Sequence, residues 1–140
     1  MKQAGCNEVD KSMNKMEEFN YTVEQFADLQ LLRYKVYGFE ELSLKQKELI
    51  YYLSQAALQG RDILFDQNGK YNLLIRKMLE TVYTEYQGDR TDVNFVNLET
   101  YLKRIWFSNG IHHHYASDKF VPGFTPDFLR DALNSVDALK

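Results

Sequence analysis

The sequence predicts an all-α fold, an irregular bundle of about five helices with a long loop before the last helix. Apolar residues recur at helical spacing in several segments, which begin at capping residues or end at glycines. No segment shows the sustained alternation of apolar and polar residues that marks a half-buried strand. We expect residues 1–20 to form a flexible polar leader and residues 21–140 to form a single helical domain or subdomain.

The first predicted helix begins at a capping box, Thr22-Val23-Glu24-Gln25. Phe26, Leu29 and Leu32 follow the box at helical spacing. The segment Tyr34–Leu42 breaks that period and is interpreted as a connector.

The second predicted helix begins at another capping box, Ser43-Leu44-Lys45-Gln46. We expect Gly60 to end it in the left-handed conformation. Its apolar face consists of Leu49, Ile50, Leu53, Ala56 and Ala57. The segment Arg61–Phe65 is expected to add a short helical turn.

A third helix is predicted from about Tyr71 to Tyr86, and a fourth from about Asp92 to Ser108. Gly88 and Gly110 are expected to end them. The apolar faces are Leu74, Met78, Leu79, Val82 and Tyr86 in the third helix and Phe95, Leu98, Tyr101, Leu102, Ile105 and Trp106 in the fourth.

The last predicted helix begins at Thr125, with Pro126 at the first helical position, where its missing N–H costs no hydrogen bond. The connection before it, Gly110–Phe124, is the longest uncapped stretch in the part expected to be ordered. Because loops of this length in compact domains are often functional, we look there for a site.

Composition and charge exclude several classes of partner. Hydrophobic residues make up 44% and charged residues 26% of the chain, as is typical of a soluble globular protein. The formal net charge is −3 and the basic residues are scattered, so we expect neither nucleic acid nor an anionic membrane surface as a partner. No apolar run approaches the ~18 residues of a membrane-spanning helix.

The N-terminal residues bear on localisation. They carry no apolar core of a signal peptide, so the expected location is cytoplasmic. Ala4-Gly5-Cys6 is similar to the end of a bacterial lipoprotein cleavage site, so the cell envelope is the alternative if the chain begins inside a truncated precursor. Cys6 is the only cysteine, and the favoured interpretation is a residue of a loose tail with no disulfide or nucleophilic role.

Three consecutive histidines, His112, His113 and His114, are the most conspicuous chemical feature. Imidazoles bind zinc, copper and nickel. In an extended chain successive side chains point in opposite directions, so only His112 and His114 can share a site, and a further ligand such as Asp118 would be needed. We favour a loop whose histidines meet solvent, a partner or substrate, and we assign no metal ligand.

The signature of a zinc protease is absent. Such a helix begins with His-Glu, so that imidazoles and a carboxylate share one face, and no histidine here precedes Glu. No Gly-x-Ser-x-Gly, P-loop or dinucleotide fingerprint occurs. Asp62 and Asp66 are expected to be solvated or to cap helices. The sequence therefore assigns no catalytic residue.

Three stretches together resemble dipeptidyl peptidase III, and specifically its bacterial branch. They comprise Phe39–Ser43, Lys47–Ala57 and Gly60–Asp62 in the first, Asn72-Leu73 and Ile75-Arg76 in the second, and Trp106–Tyr115 and Ser117–Pro122 in the third. They occur in the order and spacing of the family, and the resemblance covers about residues 21–135. The triple histidine is where this chain differs from the eukaryotic relatives.

The resemblance implies a metallopeptidase, a zinc-dependent hydrolase that removes dipeptides from the N-termini of short peptides. Such enzymes are two-lobed, with zinc held in one lobe by a His-Glu-x-x-x-His helix and a later Glu, and with the N-terminal helices in the other lobe. That apparatus lies beyond residue 140, so this chain alone is expected to bind no cofactor and to be inactive. Its expected partners are the remainder of the peptidase chain and, in the full-length enzyme, peptides. When isolated, bare apolar helix faces favour self-association.

The candidate substrate-binding residues are Asn109, Gly110, His112, His114 and Tyr115. A turn at the first two exposes main-chain groups of the kind that hold extended peptides, and the other three would line the wall of a cleft. Imidazole titrates near neutral pH, so such binding would depend on pH. The alternative is that Lys119, Phe120 and Pro122 only pin a long connector to the bundle while the histidines are hydrated.

Two rival functions stay open at this point. A free-standing helical protein of the same descent would use the domain to bind peptides or a protein partner. A metal-binding protein would use the triple histidine. The genomic sequence downstream distinguishes the first rival from the peptidase, because only the peptidase continues into a zinc motif.

Overall fold

The computed structural model describes residues 19–136. The predicted leader therefore lies outside the described residues except for Phe19 and Asn20, and so does the lipoprotein-like Ala4-Gly5-Cys6. The chain divides into two units, Met1–Tyr37 and Gly38–Lys140. Each unit is described separately below.

The first unit contains a β-hairpin where the sequence predicts a helix. Strands β1 (Thr22–Phe26) and β2 (Leu29–Leu32) pair antiparallel, with Phe26 opposite Leu29 and an irregularity between Thr22 and Glu24. The Thr22 hydroxyl, predicted to cap a helix, instead accepts a hydrogen bond from Gln30 Nε2 across the strands at 2.9 Å. The prediction of an all-α fold is therefore confirmed only in part: the described chain is mostly helical, but it also contains a small two-stranded sheet.

The second unit is helical. A 3₁₀ turn at Phe39–Glu41 precedes five α-helices of the described chain. Their bounds are α1 Leu44–Gln59, α2 Arg61–Asn68, α3 Asn72–Glu85, α4 Val93–Ser108 and α5 Pro126–Ser135. Four of the five helices predicted from the sequence are thus present, as α1, α3, α4 and α5, and the short turn expected after Gly60 is a helix of 8 residues, α2.

Capping residues set the helix boundaries largely as the sequence predicts. The Ser43 box forms, with the Gln46 N–H donating to Ser43 Oγ at 3.4 Å and the Ser43 N–H donating to Gln46 Oε1 at 2.9 Å. Thr125 Oγ1 accepts from the Phe128 N–H at 3.2 Å, with Pro126 at the start of α5. Gly60 does not take the left-handed conformation, because its φ of −78° is right-handed and α2 follows α1 at once.

The end of α4 is formed by Asn109 rather than by Gly110 alone. Asn109 adopts the left-handed conformation with φ 53°, and the N–H groups of Asn109 and Gly110 both donate to the Ile105 carbonyl. Asparagine tolerates this conformation better than most residues with a side chain. The two hydrogen bonds to one carbonyl therefore close α4 before the loop begins.

The core of the second unit lies between α2, α3, α4 and α5. Its buried members are Phe65, Leu79, Val82, Leu98, Leu102, Ile105 and Ala132. Aromatic rings extend it, since Phe95 stacks on Tyr83 and Tyr86 with centroids 6.0 and 5.1 Å apart. The predicted faces of α3 and α4 are confirmed in these positions, except that Leu74 is 66% exposed.

Helix α1 takes no part in this core. None of its side chains is buried, and Leu49, Tyr52 and Leu53 are exposed by 58%, 68% and 60%. The apolar face predicted for it is therefore bare within residues 19–136. In the same part of the chain, no helix has the length and apolar character needed to cross a membrane.

Candidate functional site

The loop between α4 and α5 folds back on itself through its own main chain. The Phe120 N–H donates to the Ile111 carbonyl and the His113 N–H donates to the Asp118 carbonyl, both at 2.8 Å. His112 and Lys119 form an antiparallel bridge between these two bonds. Because the two arms of the loop are hydrogen-bonded, the histidines sit on an ordered turn rather than on a loose connector.

A cavity of about 360 Å³ lies beside this loop, and we call it the histidine-loop pocket. Its walls come from the end of α2, the start of α3, the end of α4 and the loop itself. The lining residues are Asn68, Asn72, Ser108, Gly110, His112, His113, His114, Ala116 and Ser117.

Asn72 is the most buried polar residue of the pocket, with 2% of its surface exposed. Its Oδ1 accepts a hydrogen bond from the Ile111 N–H at 3.3 Å, which ties the first residue of α3 to the loop. Glycines flank its amide nitrogen on two sides. A Cβ at Gly69 would lie 2.9 Å from Asn72 Nδ2, and a Cβ at Gly110 would overlap it.

The imidazole rings are held by aromatic neighbours. The rings of His113 and His114 stack with centroids 4.4 Å apart, and the edge of Phe107 meets His114 at 5.0 Å. The ring of Tyr115 also contacts His114, with centroids 4.1 Å apart, but Tyr115 itself is 88% exposed. His114 therefore contacts three neighbouring rings.

The predicted site residues do not all meet at this pocket. Gly110, His112 and His114 line it, whereas Tyr115 contacts His114 from outside. Asn109 lies at its edge, where its carbonyl accepts a hydrogen bond from Asn68 Nδ2 at 3.1 Å. Whether these residues bind a substrate stays a prediction.

Sequence reasoning missed the walls that α2, α3 and α4 supply. Asn68, Asn72 and Ser108 are far from the histidines in the chain or carry no motif of their own. The available signals were the pair Asn72-Leu73 in the second stretch of the family resemblance and Ser108 in the third.

Three polar atoms of the pocket residues have no hydrogen-bond partner among residues 19–136. They are Asn72 Nδ2, Ser108 Oγ and His114 Nδ1, and each is shielded from solvent. Buried polar groups are normally paired with protein or water, so three unpaired ones around a single cavity are unusual.

A metal site in this pocket would need several ligand side chains grouped around one centre. Within the described part of the chain, no three His, Cys, Asp or Glu side chains are grouped so that they could hold a metal ion. The rings of His113 and His114 are stacked, with an angle of 29° between their planes.

A network of charged side chains connects α2 and α3. Arg76 is 8% exposed and pairs with Asp62 at 2.6 Å, while its Nε lies 3.3 Å from Glu80 Oε1. The guanidinium also sits 4.6 Å from the ring centre of Phe65. The hydrogen bond from Arg76, aided by Lys77, lowers the pKa of Asp62. Asp62 thus binds α2 to α3, which the sequence analysis did not foresee.

Comparisons with known proteins give no independent assignment. No protein-family model matches the sequence, and neither does any curated protein. The relationship suggested by the three stretches therefore stays a prediction that depends on the residues themselves.

Proposed function

We propose that this chain is the N-terminal helical segment of a dipeptidyl peptidase III of the bacterial branch. In that enzyme class, a zinc-activated water and a general base hydrolyse the peptide and release N-terminal dipeptides. The chain contains no His-Glu-x-x-x-His motif, and residues 19–136 offer no three-ligand set for zinc. Its own contribution is therefore scaffold, with one loop that faces the substrate.

The observation that best supports this proposal is that the three matched stretches meet in space. Asp62 of the first stretch pairs with Arg76 of the second at 2.6 Å. Asn72 of the second packs against Gly110 of the third and accepts a hydrogen bond from the Ile111 N–H. If the resemblance to the family were accidental, we would not expect its residues to contact one another across as many as 39 positions of the chain.

The bare helix α1 also favours a segment over a free-standing module. A surface helix of a complete domain normally buries an apolar stripe. Leu49, Ile50 and Leu53 stay exposed here, although they repeat at helical spacing. Such a face is expected where a helix packs against further sequence of a larger enzyme.

The decisive test of the family proposal is the genomic sequence that follows the codon for Lys140. We expect an in-frame continuation that encodes a His-Glu-x-x-x-His helix and a later Glu. A natural stop codon at that point would overturn the proposal and favour the free-standing binding module.

The predicted role of the loop is tested in the full-length enzyme. Replacing His112 and His114 together with Ala should lower kcat/KM for a dipeptidyl substrate while the melting temperature stays unchanged. The matched control is an alanine pair at Val121 and Pro122, which lie outside the histidine-loop pocket. Unchanged kinetics, or a loss explained wholly by unfolding, would leave the loop as a structural connector.

A further inference from the structure

We propose that the Asn68-Gly69 pair, at the end of α2, deamidates spontaneously and thereby places a carboxylate in the wall of the histidine-loop pocket. The reaction starts when the main-chain nitrogen of the next residue attacks the side-chain amide carbon of an asparagine. Glycine in that position has no Cβ to hinder the attack, and the chain contains two such pairs, Asn68-Gly69 and Asn109-Gly110. The inference uses only contacts within the second unit, so it does not depend on the peptidase proposal.

The first pair is open to this reaction. Asn68 is exposed and is the last residue of α2, and helix ends fray. Within the described chain, the Gly69 N–H makes none of the capping hydrogen bonds that close α1, α3, α4 and α5. The Asn68 amide makes one hydrogen bond, from Nδ2 to the Asn109 carbonyl at 3.1 Å, and this bond is exposed to solvent. Water can replace such a bond at little cost, so it holds the side chain only weakly.

The second pair is protected. Gly110 is buried, and its N–H donates to the Ile105 carbonyl at 3.1 Å. The Asn109 N–H donates to the same carbonyl. The Gly110 nitrogen therefore attacks only after the end of α4 has opened locally, and that opening costs free energy. Two identical dipeptides in one chain thus differ in the feature that controls the reaction.

Packing keeps the reactive glycine in place. A Cβ at Gly69 would lie 2.9 Å from Asn72 Nδ2, closer than real side chains come. The Gly69 carbonyl also accepts a hydrogen bond from the Asn72 N–H at 3.0 Å, at the start of α3. A larger residue, which would slow the attack, does not fit at position 69 unless Asn72 moves.

The reaction needs no reagent other than water. The Gly69 nitrogen gives up its proton to a solvent base and bonds to Asn68 Cγ, and the Cγ–Nδ2 bond breaks as ammonia leaves. Water then opens the resulting cyclic imide. Attack at Cγ gives aspartate, whereas attack at the main-chain carbonyl carbon gives isoaspartate, in which the main chain runs through the former side chain. No atom is oxidised or reduced in either route.

Both products change the contact between α2 and the loop. The donor that Asn68 offers to the Asn109 carbonyl is lost, and a negative charge faces that carbonyl instead. Isoaspartate also adds a methylene to the main chain next to Gly69, whose carbonyl is bonded to the first residue of α3. We therefore expect the deamidated protein to melt at a lower temperature than the fresh protein.

The test is incubation of the folded 140-residue chain in mildly alkaline buffer, followed by tryptic digestion and mass spectrometry. Asn68 and Asn109 fall in different peptides, 62–70 and 105–119, so the conversion of each amide to an acid is measured separately. We expect Asn68 to convert at least about tenfold faster than Asn109, because the second reaction waits for local opening. In guanidinium chloride the two rates should become similar. Equal rates in the folded chain, or no conversion of Asn68 there, would overturn the proposal.

The matched control is Asn68→Gln, which keeps an amide but would have to form a larger ring that closes more slowly. Its peptide 62–70 should gain no mass, while Asn109 reacts at its former rate. A mass gain in that peptide would contradict the assignment to Asn68. Anion exchange separates the deamidated fraction through its extra negative charge, and this fraction should melt below the fresh chain. If the two melt together, the proposed loss of the contact with Asn109 is wrong.

Discussion

Gly110 is placed where no other residue fits against Asn72. A Cβ at this position would overlap the Asn72 amide, which is buried and cannot swing into solvent. We expect Gly110→Ala to lower the free energy of unfolding by about 1–3 kcal/mol, as overpacking commonly does. Urea unfolding followed by far-UV circular dichroism measures it.

Gly60→Ala is the matched control for that substitution. Gly60 has a right-handed φ of −78°, and a Cβ there would meet only the Ala57 carbonyl at an ordinary 3.4 Å. Its stability should be unchanged or raised by about 0.4–1 kcal/mol. Equal losses in both variants would show that the Asn72 contact is not what requires glycine at position 110.

The ionisation of Asp62 should make the free energy of unfolding depend on pH. The hydrogen bond from Arg76 lowers the pKa of Asp62, so the folded state favours the charged carboxylate. This contribution is present above the ordinary Asp pKa of about 3.9 and is lost as the pH falls through the lowered folded value. Asp62→Asn should therefore be less stable than the unaltered chain near neutral pH, and the difference should begin to shrink only at about pH 4 and vanish below the lowered pKa of the folded state.

The control is Asp66→Asn, which removes the same charge at an exposed position one turn further along the same helix. Urea midpoints of the three proteins across the acid range provide the measurement. A stability difference between Asp62→Asn and the unaltered chain that stays constant down to low pH would contradict the ion-pair account.

At the scale of elements, α1 should drive self-association of the isolated chain. Its exposed leucines and tyrosines form an apolar surface that water disfavours. The double variant Leu49→Lys/Leu53→Lys places two charges on one face of that helix and should shift the chain toward monomer. Light scattering over a range of concentrations measures the change.

The control pair for α1 is Ser54→Lys/Gln55→Lys, which adds the same two charges at polar positions of the helix. This variant should associate more than the leucine variant. An unaltered chain that is a clean monomer at high concentration would contradict the prediction and count in favour of a free-standing module.

Local signals in the sequence predict the second unit better than the first. Capping chemistry at Ser43 and Thr125 acts within four residues, so it can be read from the chain alone. The hairpin escaped prediction because its two-residue turn is Ala27-Asp28, with φ 50° at Ala27, rather than a glycine or asparagine turn. Phe26, Leu29 and Leu32 also fit a helical period by coincidence.

The candidate site, like the fold, could be predicted from the sequence only where the signal is local. The histidine loop is visible in the sequence because three identical residues follow a helix that ends at Asn109. The opposite wall is not visible, because the contact of Asn72 with Ile111 joins positions 39 apart. Periodicity within one helix carries no information about such a pair, so the pocket emerges only when the helices pack.

For the molecule as a whole, we expect no peptidase activity from the 140-residue chain. Hydrolysis needs a metal-bound water and a general base, and the described residues offer neither a ligand set nor a zinc-protease motif. The chain should release no dipeptide from a dipeptidyl naphthylamide with or without added zinc. Zinc-dependent release that a chelator blocks would refute this, provided that an unrelated protein purified in the same way shows none.

Trp106 gives the second unit an optical label of its own. It is the only tryptophan of the chain, and its indole N–H donates to Glu80 Oε1 at 2.7 Å between α4 and α3. Excitation at the red edge of protein absorbance therefore selects one ring, and its emission follows the contact between these two helices. The hairpin has no indole and is silent in that signal. Seven of the ten tyrosines also belong to the second unit. A fluorescence melt that departs from the tyrosine absorbance melt would therefore reveal that the contact between α3 and α4 is lost at a different temperature from the surroundings of the tyrosines.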